Sequence, residues 1–74
     1  MKKLDCLGEM CPIPLIKLQK ELAAIRGGEA VVLVTDHSCT LVSTTDFCNA
    51  HKLSLISNEV MEGVWEITVF QDRP

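Results

Sequence analysis

The run Ala30-Val31-Val32-Leu33-Val34 limits the possible folds more than any other stretch, because continuously apolar and largely β-branched residues suit a strand covered on both faces. Gly27-Gly28 stops whatever precedes it, and Thr35-Asp36-His37-Ser38 supplies capping candidates for a helix after it. Before the glycines, Leu15, Ile16, Leu18, Leu22 and Ile25 recur at helical spacing from Pro12 to about Arg26, with Lys17, Gln19, Lys20 and Glu21 on the other side. At the start of the chain, Leu4 and Cys6 alternate with Lys3 and Asp5 as in a short half-buried strand, and Gly8 permits the following turn.

After Ser38 the pattern predicts a second helix in which Leu41, Val42, Thr45 and Cys48 share the core side, although Ser43, Thr44 and Thr45 are poor helix formers. Leu53 and Leu55 then alternate with Ser54, and Trp65, Ile67 and Val69 alternate with Glu66 and Thr68, predicting two strands connected through Glu62-Gly63. The order strand, helix, strand, helix, strand, strand predicts an α/β fold: a two-layer β-α-β-α-β-β sandwich with a four-stranded mixed sheet and two helices on one face. Strand–helix–strand units require parallel strands with right-handed crossovers, and the closing pair is a simple hairpin. Lys3, Asp5, Ser54, Glu66 and Thr68 fall nearer the open face. No linker, repeat or low-complexity segment interrupts residues 1–74, so a single domain is expected, burying roughly 60–65% of its unfolded surface.

Composition narrows the functional classes. A net charge of −3 and a pI near 5.2 argue against nucleic acid, whose phosphates call for a basic surface. Met1-Lys2-Lys3-Leu4-Asp5 lacks the apolar core of a secretory signal, and no stretch approaches a membrane span. A cytoplasmic protein without direct membrane insertion is expected. In that compartment the four cysteines are expected to be reduced thiols rather than a disulfide framework.

Cys11-Pro12-Ile13-Pro14 stands where the first predicted helix begins. A helix start carries unpaired N–H groups and partial positive charge, which favour a thiolate or persulfide over its protonated form. Pro12 suits the first helical position, and Pro14 still lies in the first turn, where no N–H is needed for the ladder. Cys11 is therefore the candidate sulfur-handling nucleophile, with Pro12 and Pro14 supporting its presentation. Because each predicted helix starts beyond the carboxyl end of a parallel strand, the Cys11 loop and the Asp36–Cys39 loop fall along one sheet edge. His37 and Cys39 are supporting candidates there, His37 for hydrogen bonding or proton transfer and Cys39 for resolving a disulfide, although both also suit a structural role. Cys6 and Cys48 read as small core hydrophobes, and His51 as structural or exposed. Lys17 and Lys20, on the outer face of the first helix, are candidates for docking an acidic partner. With no Cys-x-x-Cys pair, zinc is the minor reading, and no metal or cofactor is expected.

Through Leu4-Asp5, Gly8, Cys11-Pro12-Ile13-Pro14 and Leu15-Ile16-Lys17-Leu18, the chain resembles the TusA/SirA sulfur-carrier family. Gly27, Asp36, His51, Glu62-Gly63 and the stretch from Trp65 to Phe70 follow in a family-like order, so the resemblance covers nearly the whole chain. It implies a sheet of order 1-2-4-3. It also implies a sulfurtransferase-type carrier, in which Cys11 accepts sulfane sulfur as a persulfide and passes it to a partner protein. The implied partners are a cysteine desulfurase or another sulfurtransferase as donor, and a sulfur acceptor. His37-Ser38-Cys39 stands where many relatives have an Asp-Pro type of helix entry, and Ala50-His51 where a Gly-His pair is frequent. Some family members accompany membrane thiosulfate transporters, which gives a second reading: thiosulfate processing beside such a transporter. A third is a redox or regulatory binding module whose cysteine switches an interface.

Overall fold

The computed structural model describes residues 2–9 and 13–71; residue 1, the Met10-Cys11-Pro12 segment and residues 72–74 lie outside that description. The elements are β1 (Lys2–Asp5), α1 (Ile13–Lys20), α2 (Leu22–Arg26), β2 (Val31–Thr35), α3 (Ser38–His51), β3 (Ser54–Met61) and β4 (Val64–Phe70). The four strands form one sheet in the order β1-β2-β4-β3, as the resemblance implies. β1 runs parallel to β2, while β4 is antiparallel to both of its neighbours. The body measures 34 × 21 × 20 Å along its principal axes. No described helix is long and apolar enough to cross a membrane.

From Val31 onward the apolar run is buried as β2, next to the parallel edge strand and the antiparallel β4. Val31 and Leu33 pair with Val69 and Ile67, so these four side chains share one face. Leu18, Ile25, Phe47 and Cys48 from the helices close over that face, with Cys6 and Leu53 completing the core. The opposite face has no second layer, yet Val32 and Val34 are each only 8% exposed. Their cross-strand neighbours Lys3, Asp5, Thr68 and Glu66 flank them, and Lys3 Nζ reaches over β2 to within 3.8 Å of Glu66 Oε2. The aliphatic stem of the lysine and the long glutamate thus shelter the valines where a second layer would otherwise be needed.

The first predicted helix is two helices, so three rather than two helices cover the sheet. At Glu21 the backbone turns to φ −97°, ψ 3°, and its N–H bonds Leu18 O at 2.9 Å, three residues back, which is a tighter turn than α. The Glu21 carboxylate meets Lys2 Nζ at 2.9 Å, joining this break to β1. Ile16, expected on the core side, is 48% exposed, because Pro14 and Leu18 occupy the buried stripe of α1. Gly27 then ends α2 with N–H bonds to the Ala23 and Ala24 carbonyls, and Gly28 takes φ 104°.

α3 turns inward a side that only partly matches the one expected: Cys48 is buried and Leu41 packs against the core, but Val42 does not. Thr40, Thr44, Phe47 and Cys48 are buried, a spacing of i, i+4, i+7 and i+8, while Val42 is 62% exposed. The predicted face included Val42 because of its apolarity, although its angular position lies away from Thr44 and Cys48. Small threonines instead allow the helix to approach the sheet. Thr45 Oγ1 donates to the Leu41 carbonyl at 2.9 Å, a local bond that satisfies the hydroxyl within the helix.

β3 is longer than the alternation predicts and starts later. Leu53 precedes it, donating its N–H to Cys48 O at 2.8 Å beyond the left-handed Lys52 (φ 58°) that ends α3. From Ile56 to Met61 the strand is exposed on both faces, so backbone pairing with β4 rather than apolar patterning sustains it. A register shift falls between Glu59 and Met61, and Glu62-Gly63 makes the hairpin turn, with Gly63 at φ 78° donating its N–H to Glu59 Oε2 at 3.0 Å.

Candidate functional site

The predicted proximity of the two loops is seen in the residues that flank Met10-Cys11-Pro12. Past the end of β1, the Cys6 N–H bonds Val34 O at 2.8 Å and prolongs the parallel ladder. The chain then turns: Glu9 N–H reaches back to Cys6 O at 3.1 Å, with Gly8 at φ 77°, where a side chain would strain the backbone. Asp5 Oδ1 accepts the Leu7 N–H at 3.1 Å. Asp36 Oδ1, just beyond β2, accepts the Gly8 N–H at 3.0 Å across a sequence separation of 28. The β1–α1 and β2–α3 connections are therefore fastened to each other at the edge where the parallel strands end. The same edge carries the start of β4, since Thr35 pairs with Trp65.

Asp36 does not cap α3, as its position before Ser38 suggests; the N-cap is His37, without a side-chain capping bond. His37 N–H instead bonds Thr35 Oγ1 at 3.2 Å, and His37 Nδ1 lies 2.9 Å from Asp36 Oδ1. The Gly8 N–H, ahead of all other causes, holds the Asp36 carboxyl below its ordinary value against the opposing effect of desolvation, with His37 adding to the lowering. A depressed carboxyl contributes stability that is present above its ordinary value and lost as pH falls through the depressed one. Asp36→Asn keeps an oxygen for Gly8 but loses the charge. The wild-type denaturation midpoint should exceed that of the variant at neutral pH, and the two should converge as the solution is acidified.

Sequence reasoning placed Lys17 as a docking charge and did not single out Glu9; the fold brings the two together. Lys17 Nζ donates to Glu9 Oε2 at 2.5 Å, with both side chains partly buried. This hydrogen bond is the leading cause that raises the Lys17 ammonium above its ordinary value. Oε1 of Glu9 is shielded from solvent and has no partner of standard hydrogen-bond geometry among the described residues; the Cys6 thiol makes a weaker contact with this carboxylate. Lys20 remains on the exposed surface of α1. Pro14 is buried in the first turn of α1. Glu9 left one faint signal in the sequence, an acidic residue two positions before a candidate nucleophile; its partner is visible only once α1 folds back.

Among the described residues, Cys6, Cys39 and Cys48 form no disulfide. Cys6 and Cys48 are fully buried, as expected, and each thiol is pushed up to about 11, Cys48 by burial and Cys6 first by burial and then by the hydrogen bond its S–H donates to the Glu9 carboxylate. Both are held neutral and withdrawn from chemistry near neutral pH. Cys39 is exposed in the first turn of α3. The His51 ring lies 4.4 Å from that of Phe47, tilted by 40°, and its carbonyl accepts from Arg26. Native-state alkylation near neutral pH, mapped by peptide mass, should therefore spare Cys6 and Cys48 while Cys39 reacts. The two buried thiols should label only with denaturant.

The family model described as sulfurtransferase TusA matches residues 2–70 of the chain. A Methanocaldococcus jannaschii protein provisionally named as a sulfur carrier is 30% identical over 69 residues, covering 93% of this chain and 92% of its own length. The crystal structure of a SirA-like protein from Desulfitobacterium hafniense superposes with a TM-score of 0.89 at 27% identity, covering 99% of this chain and all of that one.

Proposed function

Because the chain belongs to the TusA sulfurtransferase family and serves as a sulfur carrier, we propose that Cys11 is the residue that carries the sulfur, as a persulfide passed from one protein to another. What supports this reading is that Cys11 falls in sequence between Glu9 and Ile13, the described ends of the connection from β1 to α1, and that the Gly8–Asp36 bond fastens the preceding turn at the edge where the parallel strands end. The burial of Cys6 and Cys48 supports it by removing two competing thiols.

The route conserves atoms and electrons. The Cys11 thiolate attacks the outer sulfur of a donor persulfide; a new S–S bond forms at Cys11 as the donor's own S–S bond breaks, and the donor cysteine leaves as a thiolate. An acceptor thiolate then attacks the same outer sulfur, and Cys11 departs as the thiolate it began as. Pro14, buried in the first turn of α1, fixes the backbone that follows the nucleophile. Asp36 fixes the backbone that precedes it through Gly8. Cys39, exposed in the first turn of α3 rather than packed as a structural cysteine would be, takes no part in this route, since an internal thiol that resolved the persulfide would discharge the carrier.

The test is the intact mass of the protein after incubation with a cysteine desulfurase and cysteine, with thiosulfate alone, and with oxidant alone. A sulfur-sized increment mapped to Cys11 in the first incubation, removable by an acceptor thiol, is the expected result. An increment from thiosulfate alone would transfer the assignment to direct thiosulfate chemistry beside a transporter. Modification by oxidant alone would make the cysteine a redox switch.

A further inference from the structure

The two edges of the sheet differ. β1 is four residues long and three of them, Lys2, Lys3 and Asp5, are charged, the kind of edge that resists pairing with another strand. β3 is eight residues long, and among the described residues β4 is its one strand partner. From Ser54 to Asn58 it holds no charge, proline or glycine, and the register shift that would blunt the edge comes only after Glu59. Along this outer side, alternate residues turn their backbone N–H and C=O groups away from β4. Ile56 stands at the middle of the stretch, 54% exposed, on the same face as Ser54 and Asn58.

The charges lie beyond this stretch and are opposite at its two ends. Exposed Lys52 comes before the strand, and exposed Glu59 and Glu62 stand at its hairpin end. Such a strand is complementary to an antiparallel copy of itself, because two-fold pairing sets the start of each strand against the finish of the other.

We propose that β3 pairs with β3 of a second copy of this chain, antiparallel about a two-fold axis at Ile56, to form one continuous sheet across both copies. Residues directly opposite each other in an antiparallel sheet share a face, so in this register Ile56 meets Ile56, Ser54 meets Asn58 and Leu55 meets Ser57. Glu59 falls opposite Leu53 and not opposite its own copy, and Lys52 comes to the hairpin end that carries Glu59 and Glu62. The charged β1 edge stays outside the pairing, so assembly closes at two copies. β4 separates β3 from the parallel strands, whose carboxyl-end connections also stay outside it in both copies. Five paired residues make a small interface, and the dimer is a weak one.

Sedimentation equilibrium of the full chain under reducing conditions, from micromolar to millimolar concentration, should show the average mass rising from one copy toward two. Ile56→Lys sets like charges face to face at the axis and should weaken association about tenfold or more. Lys52→Glu and Glu62→Lys should each weaken it about fivefold, and K52E/E62K should return it to within about twofold of wild type. Mild oxidation of Ile56→Cys should link the two copies at position 56, mapped by peptide mass, because directly opposed Cα atoms lie about 4.5–5.5 Å apart. Asn58→Cys should not link at position 58, since those two positions are displaced by four residues along the strands, about 13 Å. A monomer at millimolar concentration would overturn the proposal and leave the edge to an extended segment of another protein. A dimer indifferent to Ile56→Lys, a mass that climbs past two copies, linkage at position 58 in place of 56, or a double variant no better than the singles would overturn it as well. Circular dichroism at micromolar concentration checks the fold of each variant. Should Ile56→Lys fail to fold, the milder Ile56→Cys decides through its linkage.

Discussion

Cys11→Ser should abolish sulfur loading and leave the fold intact. The hydroxyl is nearly isosteric with the thiol, but an alcohol of ordinary acidity neither attacks sulfane sulfur near neutral pH nor retains it as a persulfide. Among the described cysteines, Cys6 and Cys48 are the ones in the buried cluster, and both remain. The intact-mass increment produced by a cysteine desulfurase and cysteine should disappear, while circular dichroism and the denaturation midpoint match wild type. Loading of Cys11→Ser at the wild-type level would show that sulfur resides elsewhere, with the exposed Cys39 the first thiol to map.

The second large effect is on stability. Leu33 is fully buried at the centre of β2, between Leu4 in the parallel register and Ile67 in the antiparallel one. Leu33→Ala removes the side chain around which both pairings close, and a buried Leu→Ala change of this kind costs about 2–5 kcal/mol. A chain of this length has about 4–11 kcal/mol in total at the typical stability per residue. The variant should therefore lose roughly a fifth or more of its stability, seen as a fall in the urea midpoint at unchanged slope. A loss below about 0.5 kcal/mol, the range of an ordinary surface substitution, would mean that the sheet is not organised around β2.

Much of this architecture is legible in the sequence, for particular physical reasons. β2 declares itself because burial on both faces leaves no polar position, and β4 because Trp65, Ile67 and Val69 keep strict alternation. Gly63 betrays its hairpin through the positive φ that the turn requires. The break at Glu21 leaves no such mark, since neither a glycine nor a proline stands there and the flanking residues are good helix formers; the interruption is a tertiary choice that brings Glu21 to Lys2. The outer part of β3 is equally silent, because an edge strand exposed on both faces needs no apolar period. In α3, apolarity misdirected the reading toward Val42, whereas the buried side is built on two threonines that look like surface residues. The candidate site divides in the same way. Cys11 and its prolines are local and readable, while the partnerships of Asp36 with Gly8 and of Glu9 with Lys17 join residues that only folding makes neighbours.

The dimensions of the body bear on traffic through such a site. The accessible surface is 4458 Å², and a standard protein interface covers about 800 Å² of each partner, close to a fifth of this molecule. A donor and an acceptor that both reach the one edge where the parallel strands end would claim overlapping footprints on a body 20 Å across its narrowest axis. On the proposed route they would exclude each other, and the carrier would have to leave the first before the second could dock. Sulfur handed over in this way would travel as cargo on a free intermediate, and its delivery would depend on how long the loaded form survives between encounters as well as on the chemistry within either complex.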